Sequence, residues 1–147
     1  VIRELLYTNP TNSRTSISQA LDYLLKVAKR KCVVFLISDF LDENYLPSLK
    51  VVNKKHDLIA IQITDPAELD FPNLGLLKVE DPETKETFWI DTSSKRMMTS
   101  LRKTIADKQL IFQKEMKKSG VDLVRISTDE DFVDPLMSFF RLREKRI

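Results

Sequence analysis

Two aspartates stand directly behind two apolar runs: Ser38 and Asp39 follow Cys32–Ile37, and Thr64 and Asp65 follow Leu58–Ile63. Carboxylates and hydroxyls brought together from separate loops suit magnesium, which takes oxygen ligands in near-octahedral geometry and keeps several waters. Runs of this length, rich in β-branched residues, read as strands buried on both faces of an open α/β sheet. Ligands of such sheets bind beyond the carboxyl ends of the strands, so Asp39 and Asp65 face one edge where binding or chemistry belongs. Ser38, Asp39 and Asp65 are the candidate site residues on this ground. A metal-dependent hydrolase or phosphotransferase would use Asp39 and Asp65 as its paired carboxylates. Each also has a local reading, Asp39 capping the turn after its strand and Asp65 opening a turn before Pro66.

Other chemistries lack their residues. The two glycines, Gly75 and Gly120, exclude a P-loop and a dinucleotide-binding turn, each of which needs several glycines together. A single histidine, His56, excludes multi-histidine zinc sites. It precedes its strand whereas Asp39 follows another, which separates them by about 20 Å of strand and leaves no Ser-His-Asp triad. His56 reads as a surface or boundary residue, and the one cysteine, Cys32, as core packing. With 24 basic and 22 acidic residues intermixed and a net charge of +2, no concentrated basic face for nucleic acid is present. No run approaches the roughly 20 apolar residues of a membrane span, and the lone cysteine is compatible with a reducing compartment, so a cytoplasmic location is expected. The opening VIRELLYTNP is neither a signal peptide nor an initiator methionine and reads as part of a longer protein.

The 147 residues fit one domain, which at this size buries roughly 68–70% of its unfolded surface. Val1 to Tyr7 reads as the last turns of a helix, closed by the turn at Thr8 to Ser13. A helix capped by Thr15 or Ser16 is expected to run to about Arg30, with Ile17, Leu21, Leu24, Leu25 and Ala28 on one stripe. A second follows through Leu46, Leu49 and Val52, with Pro47 in its first turn. Residues 76–91 alternate around a Pro-led turn and predict an inserted β-hairpin, with Leu77, Val79, Phe88 and Ile90 inward. Ser93 or Ser94 opens a long helix to Ser119 with Met97, Leu101, Ile105, Phe112 and Met116 on one face, ended by Gly120. Val121–Ile126 is a third strand. Ser127–Glu130, STDE, reads as a capping box for a last helix with Phe132, Leu136, Phe139 and Phe140 inward. The run Arg141 to Arg146 reads as a solvated helix end. Helices alternating with buried strands give a Rossmann-like open parallel sheet flanked by helices.

The order TxxxxAL at Thr15–Leu21, SDFLD at Ser38–Asp42 and KKHDLIAIQITDPAE at Lys54–Glu68 resembles the C-terminal half of a von Willebrand factor A-like domain. More closely, it resembles the bacterial domain-of-unknown-function family fifty-eight, whose members often accompany MoxR-type AAA+ ATPases. The resemblance implies that Thr15 and Asp39 are two ligands of a divalent-cation site, with Mg2+ bound in the full-length protein. The DxSxS element that would supply the other ligands is absent. DTSSK at Asp91–Lys95 follows the hairpin and ends in lysine, so it is not that element.

The resemblance implies a protein-interaction module rather than an enzyme, with a protein partner such as a MoxR-type AAA+ ATPase and no metal held by these residues alone. A structural half-domain with no site is the remaining alternative. Thr15 and Asp39 are expected close together at the sheet edge. The strand that would flank Cys32–Ile37 in a complete domain precedes Val1, which makes this strand an exposed edge. A homodimer through it is the corresponding expectation.

Overall fold

The computed structural model describes residues 15–69, 72–80 and 86–145. The expected helix at Val1 to Tyr7 and the turn after it lie outside those residues. The elements are α1 (Ile17–Val27), β1 (Val33–Ser38), α2 (Leu46–Lys55), β2 (Asp57–Thr64), the short α3 (Pro66–Leu69), β3 (Leu76–Glu80), β4 (Thr87–Asp91), α4 (Lys95–Lys118), β5 (Asp122–Ser127) and α5 (Val133–Glu144). This is a mixed α/β chain whose three-stranded sheet is parallel in the order β1-β2-β5. A separate antiparallel pair, β3 and β4, sets Val79 opposite Phe88 and Leu77 opposite Ile90.

The centre of the sheet is β2, with β1 at its edge. Leu58, Ile59, Ala60 and Ile61 are all buried, as a strand covered on both faces requires. One face packs Leu58 and Ala60 against Ile17 and Leu21 of α1, Leu49 and Val52 of α2, and Met116 of α4. The other packs Ile59 and Ile61 with Val124, Ile126, Leu136 and Phe139. β1 has a neighbour on one side only among the described residues. Val34 and Leu36 pack on the helix-covered core, but Val33, Phe35 and Ile37 are exposed. The apolar run therefore marks an edge strand, open on one face because α5 lies over β2 and β5 and touches β1 chiefly through the edge-on pair Phe35–Phe140.

Helix ends depart from the expected bounds for local reasons. Ser16, not Thr15, caps α1 by accepting the Gln19 N–H, and α1 ends at Val27, three residues early, where Ala28 turns extended to enter β1. In α4, Ser94 accepts the Met97 N–H, and Met98 rather than Met97 is buried. Gly120 at φ +65° follows that helix, with Val121 N–H returning to Met116 O. This left-handed closure favours glycine. The STDE segment caps nothing: Ser127 Oγ donates to Asp129, and α5 starts at Val133, whose N–H is taken by Asp131. Phe132 lies before that helix and is exposed.

Three side chains reverse their expected settings. Cys32 is exposed rather than in the core, and His56 is buried at 2% exposure rather than on the boundary. Arg143 is no solvated helix end. Its guanidinium donates to both carboxylate oxygens of Asp57 and lies 3.4 Å from Asp122, which ties α5 to the first residues of β2 and β5. The Asp57 hydrogen bond raises the Arg143 pKa further above its usual range.

Two stability outcomes follow. Leu49→Ala, at a fully buried position where α2 meets the sheet, should cost about 2–5 kcal/mol in urea unfolding. Arg143→Met keeps the stem but removes the guanidinium from Asp57 and should cost about 1–2 kcal/mol, discounted for partial exposure.

Candidate functional site

The loop from Ser38 to Asn44 leaves β1 at the carboxyl edge and carries more internal hydrogen bonding than a plain connection needs. Ser38 Oγ accepts the Phe40 N–H at 3.0 Å, and Asp39 Oδ1 accepts the Leu41 N–H at 3.1 Å. Asp42 works in two directions: Oδ1 takes the Glu43 N–H at 2.8 Å, and Oδ2 takes the Ile17 N–H at 2.7 Å. The second of these bonds spans 25 positions in sequence and fixes the start of α1 beside this loop. It satisfies one of the amides a helix leaves unpaired in its first turn. A carboxylate there also suits the positive end of the helix dipole.

The loop is strained. Phe40 and Asn44 both adopt positive φ, +60° and +62°. Asn tolerates the left-handed region, but a bulky aromatic there is a genuine outlier and persists only when its surroundings over-determine it. Phe40 is held by its ring, buried to 8% exposure and packed 5.8 Å from Tyr45 and 5.0 Å from Phe112. The consequence appears at the next residue: Leu41 projects at 75% exposure. An apolar side chain is thus presented to solvent from a fixed backbone, with Asp39 beside it.

The other candidates fall as follows. Asp65 follows the end of β2 on the same edge, and its Oδ1 accepts the Ala67 N–H at 2.9 Å. Thr15 is exposed, two residues before the Ile17 amide that Asp42 holds. The structure brings the start of α1 to the β1 loop through Asp42, a residue whose part in the site the sequence did not signal. No sequence signal marks Phe40 as left-handed; Asn44 alone carried one. Among the described residues, no group of three or more His, Cys, Asp or Glu side chains converges to hold a metal ion. An apolar cavity of about 360 Å³ opens at the same edge between Ile37, Ile63, Ile126, Phe132 and Leu136. A larger one, about 600 Å³, lies between β4 and α4, lined by Asp91, Ser94, Arg96 and Met97. Asp91 there is engaged by the Ser93 hydroxyl, which lowers its pKa.

The family model described as "Protein of unknown function DUF58" matches residues 1–110. The chain belongs to this family. It is 25% identical over 139 residues to the uncharacterized protein MAV169 of Mycobacterium avium, covering 92% of this chain and 80% of that protein. It is 24% identical over 139 residues to the uncharacterized protein Rv1480 of Mycobacterium tuberculosis and to Mb1516 of Mycobacterium bovis. The chain spans 43% of the length of each of those two. No solved structure matches the chain. No helix among the described residues of this DUF58 chain is long and apolar enough to cross a membrane.

Tyr45 gives the loop a pH signature. Burial, and secondarily the Asp42 charge, push its hydroxyl up to about 12 from an ordinary 10.0. A folded-state value above the unfolded one contributes stability fully present below pH 10 and lost as pH rises toward 12. Urea midpoints should fall across that alkaline window by the equivalent of about 2 kcal/mol. Tyr45→Phe should flatten the fall.

Proposed function

We propose that this DUF58 chain is a von Willebrand factor A-like protein-interaction module, without catalysis of its own, that meets a MoxR-type AAA+ ATPase through the carboxyl edge of its sheet. The observation that carries the reading is the Ser38–Asn44 loop. It keeps an aromatic residue at positive φ, which costs on the order of 1–3 kcal/mol, and the outcome is an exposed Leu41 on a fixed backbone. A rigid apolar prong with a carboxylate beside it suits a protein surface, because a preorganised contact loses little entropy on binding. It does not suit hydrolysis: the Asp39 and Asp65 carboxylates each accept an amide of the turn that follows.

The family resemblance supplies the ATPase as partner class, and the parallel sheet with helices on both faces is compatible with the von Willebrand A-like architecture. That architecture implies a divalent cation with Thr15 and Asp39 among its ligands. Thr15 and Asp39 would supply only two of its oxygen ligands, Asp39 Oδ1 already accepts the Leu41 amide, and among the described residues no group of three or more His, Cys, Asp or Glu side chains converges. Partner contact is therefore assigned to Leu41, Asp39 and the neighbouring Asp65 directly.

Two measurements test this. Sedimentation of the chain with a purified MoxR-type ATPase at micromolar concentration should show a complex that Leu41→Asp weakens roughly tenfold or more. A complex indifferent to Leu41→Asp and to Asp39→Ala, or no complex at all, would sink the proposal. Calorimetric titration of this chain with magnesium should show no saturable tight site, and a tight site lost in Asp39→Asn would return the metal to the centre of the reading.

A further inference from the structure

We infer that Cys32 and His56, at the opposite edge of the sheet, form a reactive thiol site that exchanges with low-molecular-weight disulfides. Cys32 precedes β1 and His56 precedes β2, and the Asp57 N–H to Cys32 O bond, 2.9 Å, locks the two strand starts side by side. The main chain of His56 is fixed as well, its backbone N–H donating to Val52 O at the end of α2. The imidazole Nδ1 then lies 3.3 Å from the Cys32 sulfur. The sulfur belongs to an exposed residue, whereas the histidine is 2% exposed and its Nε2 has no hydrogen-bond partner among the described residues.

That orphaned nitrogen is the informative feature. A buried polar atom without a partner costs its full desolvation, and an apolar side chain would fill the same space without that cost. A buried imidazole aimed at the thiol of an exposed residue is an arrangement whose chemistry explains the cost: the ring stands where it takes the thiol proton as the sulfur attacks. In the exchange, the Cys32 sulfur attacks one sulfur of R–S–S–R. The new S–S bond forms as the old one breaks, the electron pair leaves on R–S, and the proton passes from Cys32 through Nδ1 to the departing sulfur as R–SH. The products are a mixed disulfide on Cys32 and one thiol, with no net redox change.

The charged groups at this edge favour an anionic reagent. Arg30 and Lys31 lead into Cys32, and Lys55, which reaches Leu25 O, precedes His56. From β2, β5 and α5 come Asp57, Asp122 and Arg143, joined to one another. Cations outnumber carboxylates in this set, and positive surroundings promote thiol reactivity.

Cys32 is the only cysteine of the chain, so every thiol released from a reagent reports on this site. The full chain is mixed at neutral pH with anionic dithiobis(nitrobenzoate) and with uncharged dithiodipyridine, once native and once unfolded in urea, where Cys32 is a plain thiol. One equivalent should be released from each, with the native chain about tenfold faster for both reagents. Native His56→Asn should react at the unfolded-chain rate. A native rate equal to or below the unfolded rate with the uncharged reagent overturns the inference, and so does an acceleration confined to the anionic reagent. Should His56→Asn fail to fold, the native-to-unfolded ratio of the parent chain decides alone.

Discussion

The burial of β2 on both faces is the constraint on which the other elements depend. Leu58 and Ala60 look into the layer of α1, α2 and α4, and Ile59 and Ile61 look toward α5. A strand in that position has every main-chain donor and acceptor committed to neighbours, because unpaired amides in an apolar interior cost free energy comparable to a lost hydrogen bond. The parallel ladders to β1 and β5 meet that demand. Parallel pairing in turn needs crossover connections, supplied by α2 between β1 and β2 and by the longer excursion through the hairpin and α4 between β2 and β5. Asn53 of α2 links the two crossovers by donating to Ser119 O and Gly120 O at the end of α4.

The sheet's two edges are finished differently. At the carboxyl edge, short side chains turn back on the main chain: Ser38, Asp39, Asp42 and Asp65 each accept a nearby or facing amide. These bonds hold a loop in which Phe40 is forced left-handed and Leu41 outward. At the amino edge, long-range side-chain pairs dominate. Arg143 reaches from α5 to Asp57 and Asp122, and Cys32 meets His56. The first pairing anchors α5, which has no residue fully buried and relies on Leu136, Phe139 and this clamp.

The incomplete cover over β1 connects fold to function. Val33, Phe35 and Ile37 share the face of Ile59 and Ile61 by register, yet α5 reaches them only through Phe140. Exposed apolar side chains on an edge strand invite pairing, and natural chains commonly blunt such edges with charge or cover them. Among the described residues Val33, Phe35 and Ile37 stay exposed on β1, and Leu41 is exposed on the loop that follows it.

What the sequence by itself determined is the succession of elements and their periodicities. Two apolar runs and the alternation at Val121–Ile126 placed the three parallel strands, the stripe at Ile17 and Leu21 placed α1, and Gly120 marked the end of α4, because strand and helix periods and left-handed closure are local properties. Asp39 and Asp65 were legible as strand-end residues for the same reason. The edge position of Cys32–Ile37 came from the family resemblance and not from composition: that run is wholly apolar while Leu58–Ile63 carries Gln62, yet pairing with β5 makes β2 central. The capping role of STDE failed because a four-residue pattern is decided by where the helix can dock, and α5 docks from Val133 onward. Asp42 with Ile17, Arg143 with Asp57, and Cys32 with His56 join positions 25, 86 and 24 residues apart. Such pairs come into being only when parallel strands bring their starts and ends together, so their chemistry belongs to the tertiary structure.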